Sequence, residues 1–327
     1  MDDLCYTNEV EGREKKGGQM GNEELRKLVE NVEKVIIGKT EVVKLLLVGL
    51  LTNGHVLIED VPGTGKTMLA LAIAKSVSGD FKRIQFTPDL LPSDVTGGLV
   101  YSPKSGEFDF KQGPVFCNIL LADEINRTNP RTQSALLECM QEYKVTADGK
   151  AFPLPNPFMV IATENPIEYQ GTYPLPEAQI DRFLMKVQMG YLSVGEEVRV
   201  ISGQKLRHPV EDLKPVLGLE SVIKLQDEVK KVDVASHIQN YIVRLVSLTR
   251  QKEEIKLGAS PRASIALMKA ACAWALLEGR DYVIPEDVVK LIPCVLRHRL
   301  ILQPKVAIAG KSPEDIIQEL VAKTAIP

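Results

Sequence analysis

The stretch His55–Gly79, "HVLIEDVPGTGKTMLALAIAKSVSG", constrains the fold more than any other part of the chain. A short apolar run ends in a loop holding Gly63 and Gly65, and a helical pattern follows from Met68 with Gly79 as its expected stop. Two glycines let the backbone curl until its N–H groups converge on an anion. Lys66 adds a point charge for the outer phosphates, and Thr67 adds a hydroxyl suited to Mg²⁺. The next helix contributes its positive N-terminal end. The stretch nearly fulfils the phosphate-loop pattern G-x-x-x-x-G-K-[ST]; Asp60 stands where the first glycine belongs. A carboxylate aimed at phosphates would repel them, so Asp60 is expected to turn its side chain away.

The second chemical stretch is "NILLADEINR". Its apolar run places Asp123 and Glu124 at a strand end. Beside a phosphate loop, Asp123 suits Mg²⁺ and Glu124 suits general-base activation of water. Strand candidates "KRIQF", "NILLAD", "PFMVIAT" and "LMKVQM" alternate with helical segments such as "TQSALLECMQE". That alternation predicts an α/β fold with a parallel sheet of buried strands. "GLVYSPKSGEFDFKQGPV" and "YKVTADGKAFPL" read as inserted β-hairpins, the second turning at Asp148-Gly149. Tyr101, Phe108 and Phe110 on the first hairpin could line a channel or simply pack the hairpin.

Beyond Tyr191 the pattern becomes nearly all helical. Expected features are an apolar stripe Ile238, Tyr241, Ile242, Leu245 and a second stripe Ile265, Met268, Cys272, Ala275. Ser260 is a candidate cap before Pro261, and Ser312 with Asp315 is spaced as a capping box. The expected organisation is a mobile tail over 1–22, an α/β nucleotide domain over 23–191 and a helical lid over 192–327.

At 327 residues, 44% hydrophobic and 25% charged, the chain suits a globular protein with a large core. A net charge of -3 gives no basic surplus, which makes nucleic acid an improbable partner. Cys5, Cys117, Cys139, Cys272 and Cys294 show no paired spacing, which argues against a disulfide scaffold or zinc site and for a reducing compartment. No signal peptide or membrane-length apolar run appears, so a cytoplasmic location is expected. No histidine has metal-ligand spacing, and no G-x-S-x-G or N-K-x-D motif is present, which excludes triad hydrolysis and guanine reading of the usual kinds.

With "VIIGKTEVV", "EDVPGTGKT", "RIQFTPDLLPSDVTG", "LLADEINRTNPRTQSALLECMQE", "ATENPIEYQGTYPLPEAQIDRFL" and "GASPRASIALMKAACAWALLEGRDYVIPEDV" in this order, the chain resembles the MoxR family of AAA+ ATPases from about Glu23 onward. The resemblance implies an AAA+ P-loop sheet domain with hairpin inserts, then a small helical lid. It implies ATP/ADP and Mg²⁺ as ligands. Val61, Pro62, Gly63, Thr64, Gly65, Lys66, Thr67 and Met68 would surround the phosphates, and Ile36, Ile37 and Gly38 would line the adenine. The two isoleucines could equally be ordinary core. Asn165 resembles sensor 1, Arg182 the arginine finger acting on a neighbour's γ-phosphate, and Arg262 a sensor 2 that folds the lid onto the same phosphates. Arg127 and Arg131 are weaker candidates for a second arginine reaching across subunits. The implied activity is ATP hydrolysis by a homohexameric ring that remodels or matures a protein client, with a von Willebrand factor A domain protein as a possible partner. A nucleic-acid motor of the helicase-like AAA+ branch and a non-hydrolysing nucleotide switch are the competing readings.

Overall fold

The computed structural model describes residues 16–103, 106–166, 171–203 and 208–327, with residues 16–22 as backbone only. Of the expected tail, Met1–Lys15 and with them Cys5 lie outside the described residues. The first helix, Lys16–Glu33, begins ahead of Glu23.

In chain order the strands are β1 (Val56–Glu59), β2 (Phe81–Gln85), β3 (Gly97–Ser102), β4 (Glu107–Gln112), β5 (Ile119–Asp123), β6 (Lys144–Ala147), β7 (Lys150–Pro153), β8 (Met159–Glu164), β9 (Met185–Val187), β10 (Ile255–Leu257) and β11 (Ile301–Leu302). The central sheet runs β2-β5-β8-β1-β9, all parallel. β5 and β8 lie inside it and are apolar from Ile119 to Ala122 and from Met159 to Ala162, as double-sided burial requires, with the buried polar Asp123 and Thr163 only at their carboxyl ends. β2 is an edge strand, so of "KRIQ" only Ile84 is buried. That corrects the expectation of a fully buried strand and frees its polar side chains for the site.

Both hairpins form. β3 pairs antiparallel with β4, and β6 with β7. Asp148 and Gly149 take φ 50° and 70°, the left-handed pair a tight two-residue turn demands. Phe110 stacks on Phe152 at 4.1 Å, tying one hairpin to the other. Tyr101 and Phe108 contact each other at 5.4 Å and remain exposed.

Helices cover the sheet and continue past β9. The apolar core on one face runs without interruption from Leu28, Leu46, Val56 and Leu69 into Leu267, Trp274 and Leu291 of the helical region. The stripe Ile238, Tyr241, Ile242, Leu245 is buried as expected. The second stripe is buried in part: Cys272 and Ala275 are buried and Met268 is half-buried, but Ile265 is exposed. In helix Pro261–Leu277 Ala263, Leu267, Ala270, Ala271 and Trp274 are buried as well. Its alanines let neighbouring helices approach closely on several sides, so a single stripe captures only part of the buried face. Ser312 and Asp315 do form the capping box. Ser260 precedes Pro261 at the cap position, but its hydroxyl donates to Asp181 instead, at 3.4 Å. After helix Lys66–Ser76 it is Ser78, at φ 54°, that takes the left-handed conformation expected of Gly79. The small β10–β11 pair inside the helical region is too short to leave a periodic signal.

The helical region is anchored on the free edge of β9. Arg297 donates to the Lys186 carbonyl at 3.0 and 2.7 Å. Arg299, buried, donates to the Phe183 and Leu184 carbonyls and pairs with Asp181 at 2.7 Å. These arginines satisfy edge carbonyls that would otherwise face an apolar neighbour.

At the other end of β1, His55 sits fully buried between Tyr143 and Phe158. Its Nδ1 accepts the Val160 N–H at 3.0 Å, so Nε2 carries the hydrogen donated to the Met140 carbonyl at 2.8 Å. Burial pushes its pKa down to about 4. The unfolded chain therefore takes up a proton on this ring near pH 6.5 while the folded chain refuses it until about pH 4. His55 neutrality favours folding above pH 6.5, and that contribution is lost as pH falls toward 4. The difference amounts to about 3 kcal/mol across the window. Thermal melts of wild type and His55→Gln from pH 7.5 to 4.5 should show the wild type losing more stability; parallel curves would exclude His55 as the source.

Candidate active site

The phosphate loop follows β1 directly. Gly63 and Gly65 have φ 85° and 90°, and a Cβ on either would meet no atom within 4 Å. The glycines are therefore required by backbone conformation and leave the space above the loop open for a ligand. Gly65 is the left-handed N-cap of helix Lys66–Ser76, whose first turn points its free N–H groups into that space. Lys66 Nζ folds back onto the Asp60 carbonyl at 2.9 Å and the Val61 carbonyl at 3.3 Å, a position an incoming anion would compete for.

Asp60 behaves as its charge demands. Its carboxylate points away from the cradle, accepting from the Val61 N–H at 2.8 Å, the Met189 N–H at 3.0 Å and the Gly190 N–H at 2.9 Å.

Asp123 ends β5 beside the loop. Its Oδ2 accepts from Arg83 Nε at 3.1 Å and Nη2 at 2.7 Å, and its Oδ1 accepts from the Thr163 hydroxyl at 2.6 Å. Glu124 has φ 56° and ψ 50°, a conformation non-glycine residues adopt reluctantly. The Thr163 hydroxyl oxygen holds it there by accepting the Glu124 N–H at 2.8 Å. The Glu124 carboxylate accepts from Gln85 at 2.7 Å and Arg127 at 3.0 Å. Arg127 thus bonds within its own chain, while Arg131 is exposed on the first turn of the next helix. Asn165 follows β8, buried next to the loop, since the Glu164 carbonyl accepts the Asp60 N–H at 3.1 Å. Loop, acidic pair and Asn165 therefore gather at the carboxyl ends of β1, β5 and β8, where ligands of open parallel sheets bind.

A cavity of about 170 Å³ adjoins the loop. Ile36 and Ile37 line it together with Gly63, Thr64, Gly65 and Met68 of the phosphate loop, joined by Met189, Leu192, Val200 and His208. Gly38 stands at φ 74° beside Glu196 at the rim and is not among the lining residues. Arg83, Gln85, Thr163 and Met189 escaped sequence reasoning. Their only trace was polar residues breaking otherwise apolar strands, and a methionine at a strand end.

Arg182 and Arg262 sit elsewhere. Both line a cavity with Gly54, His55, Asp181 and Arg299, and Arg262 lies 3.8 Å from Asp181. This is the amino end of β1, separated from the loop by the strand's length, roughly 13 Å. Arg262 therefore lies beside Arg182 and Asp181, at the opposite end of β1 from its own chain's loop. Arg297 and Arg299 pin the helical region to β9, which brings the start of helix Pro261–Leu277 to Asp181 instead.

Residues 55–185 match the ATPase family associated with various cellular activities (AAA), and residues 247–320 match the AAA lid domain. Over 93% of its length the chain is 45% identical to 82% of the protein named chaperone MoxR1 of Mycobacterium tuberculosis. The chain belongs to the MoxR family of AAA+ ATPases. Another relative, named YeaC, from Bacillus subtilis, is 55% identical, with 93% of this chain and 95% of that one covered. A solved structure from Cytophaga hutchinsonii, named as a candidate ATPase, superposes with a TM-score of 0.88 at 40% identity, covering 95% of this chain and 97% of that one. This MoxR-family chain is accordingly a nucleotide-binding ATPase. Among its described residues no helix is long and apolar enough to cross a membrane.

Proposed function

We propose that the chain hydrolyses ATP with Mg²⁺ as a homohexameric ring and couples the cycle to chaperone-like remodelling of a protein client. The observation that carries this reading is the separation of the two half-sites. Lys66, Asp123, Glu124 and Asn165 gather at one end of the sheet, and Arg182 with Arg262 at the other. A chain so built holds its nucleotide at one face and offers arginines to a neighbour's nucleotide at the other.

Thr67 and Asp123 fit Mg²⁺: both offer oxygen, the ligand a hard cation prefers. Among the described residues no cluster of three or more His, Cys, Asp and Glu forms a metal cage, so the ion would be shared with the phosphates. When bound, it would neutralise phosphate charge. In the proposed cycle Lys66 leaves the Asp60 carbonyl for the phosphates, Asn165 orients the attacking water, and Glu124 takes its proton. Gln85 and Arg127 both donate to Glu124 Oε2 at rest and so orient its carboxylate. The neighbour's Arg182 and Arg262 stabilise the developing charge.

A client role follows the name of MoxR1, and a von Willebrand factor A domain protein is a candidate partner by resemblance to the family. The cytoplasm is the proposed location. Turnover per chain should rise with protein concentration as rings assemble, and Lys66→Ala should abolish ATP binding at every concentration. A per-chain rate independent of concentration down to the monomer would overturn the ring requirement.

A further inference from the structure

Asp60, the residue that departs from the general phosphate-loop pattern, is the hub of the nucleotide pocket. Its N–H bonds the carbonyl of Glu164, next to Asn165, and its carbonyl receives Lys66. Its buried carboxylate spans from Val61 in the loop to Met189 and Gly190, two and three residues past the last paired residue of β9. β1 has already turned into the loop at that level, so no strand partner remains for the Met189 and Gly190 N–H groups. A buried N–H without an acceptor is destabilising, and the Asp60 carboxylate supplies the acceptor the ladder lacks. Gly190 adopts φ 63° there, turning the chain away from the sheet. Met189, held by this bond, is one wall of the 170 Å³ cavity, facing Ile36 and Met68 with Leu192 close by.

We propose that Asp60 is a positioning residue that fixes the base-side wall of the pocket, through Met189 and Gly190, to the phosphate loop, and so sets how tightly the adenine is gripped. The proposal rests on the nucleotide reading of this site. Asp60 touches no ligand itself. Its carboxylate acts through the wall it holds, so its removal should weaken the base contacts and spare the phosphate contacts.

Affinities for ADP and for inorganic triphosphate, measured by calorimetry on the full chain, separate the two. Asp60→Ala is expected to weaken ADP about tenfold while leaving triphosphate about unchanged. Asp60→Asn keeps the shape but loses one acceptor oxygen, so it should fall between wild type and Asp60→Ala, and it carries the test should Asp60→Ala fail to fold. Equal weakening of both ligands would place Asp60 in the phosphate cradle and overturn the proposal, as would unchanged ADP affinity in both variants. Failure of the wild type to bind either ligand, or binding that survives Lys66→Ala, would instead overturn the nucleotide reading itself.

Discussion

Arg182→Ala is expected to slow ATP turnover by about 10³–10⁵-fold while leaving nucleotide affinity nearly unchanged. Arg182 lies with Gly54 and His55 at the amino end of β1, and Lys66 follows the carboxyl end. A side chain cannot cross that distance, so its charge bears only on a nucleotide held by another copy. Binding, which uses the loop, the acidic pair and the cavity, stays with the unaltered half-site. Mixing Arg182→Ala with Lys66→Ala protein should restore part of the activity, because a mixed ring pairs an intact loop with an intact arginine. Mixed rings shown to form but remaining inactive would rule out action in trans. Arg262 shares the location and Asp181, so Arg262→Ala should behave in the same direction.

Glu124→Gln should reduce turnover by about 10²–10⁴-fold and retain bound ATP. The amide keeps the size of the side chain but cannot take a proton from water. Gln85 and Arg127, which contact the carboxylate at rest, would lose a charged acceptor, and Arg83 with Asp123 should be undisturbed. Hydrolysis at the wild-type rate would exclude Glu124 as the base. The trapped variant, used as bait with ATP, should retain the client; a client held equally well without ATP would contradict nucleotide-driven remodelling.

The sequence made the catalytic end of the sheet legible because that chemistry depends on local geometry. A strand–glycine–lysine–helix junction works through consecutive residues, as does an acidic pair closing an apolar strand. Asp60 shows where such reasoning stops. Charge repulsion alone dictates that its carboxylate turn away from phosphate, yet its partners, Met189 and Gly190, lie about 130 residues further along the chain. Thr163 was equally hidden. Its role exists only because β5 and β8 are neighbours, which brings one hydroxyl to both Asp123 and Glu124. The stripe in Pro261–Leu277 held at Cys272 and Ala275 but missed at Ile265 for a related reason: periodicity identifies one apolar face, and this alanine-rich helix is enclosed on several.

What the sequence determined by itself was the family, the α/β order with its hairpins, and the residues of the phosphate cradle, since each is encoded in contiguous segments. What only the tertiary structure decided was the placement of Arg262. As a first-turn arginine it could serve either end of the sheet. Arg297 and Arg299 binding the β9 edge set the orientation of the helical region, and that orientation puts Arg262 beside Arg182, away from its own loop.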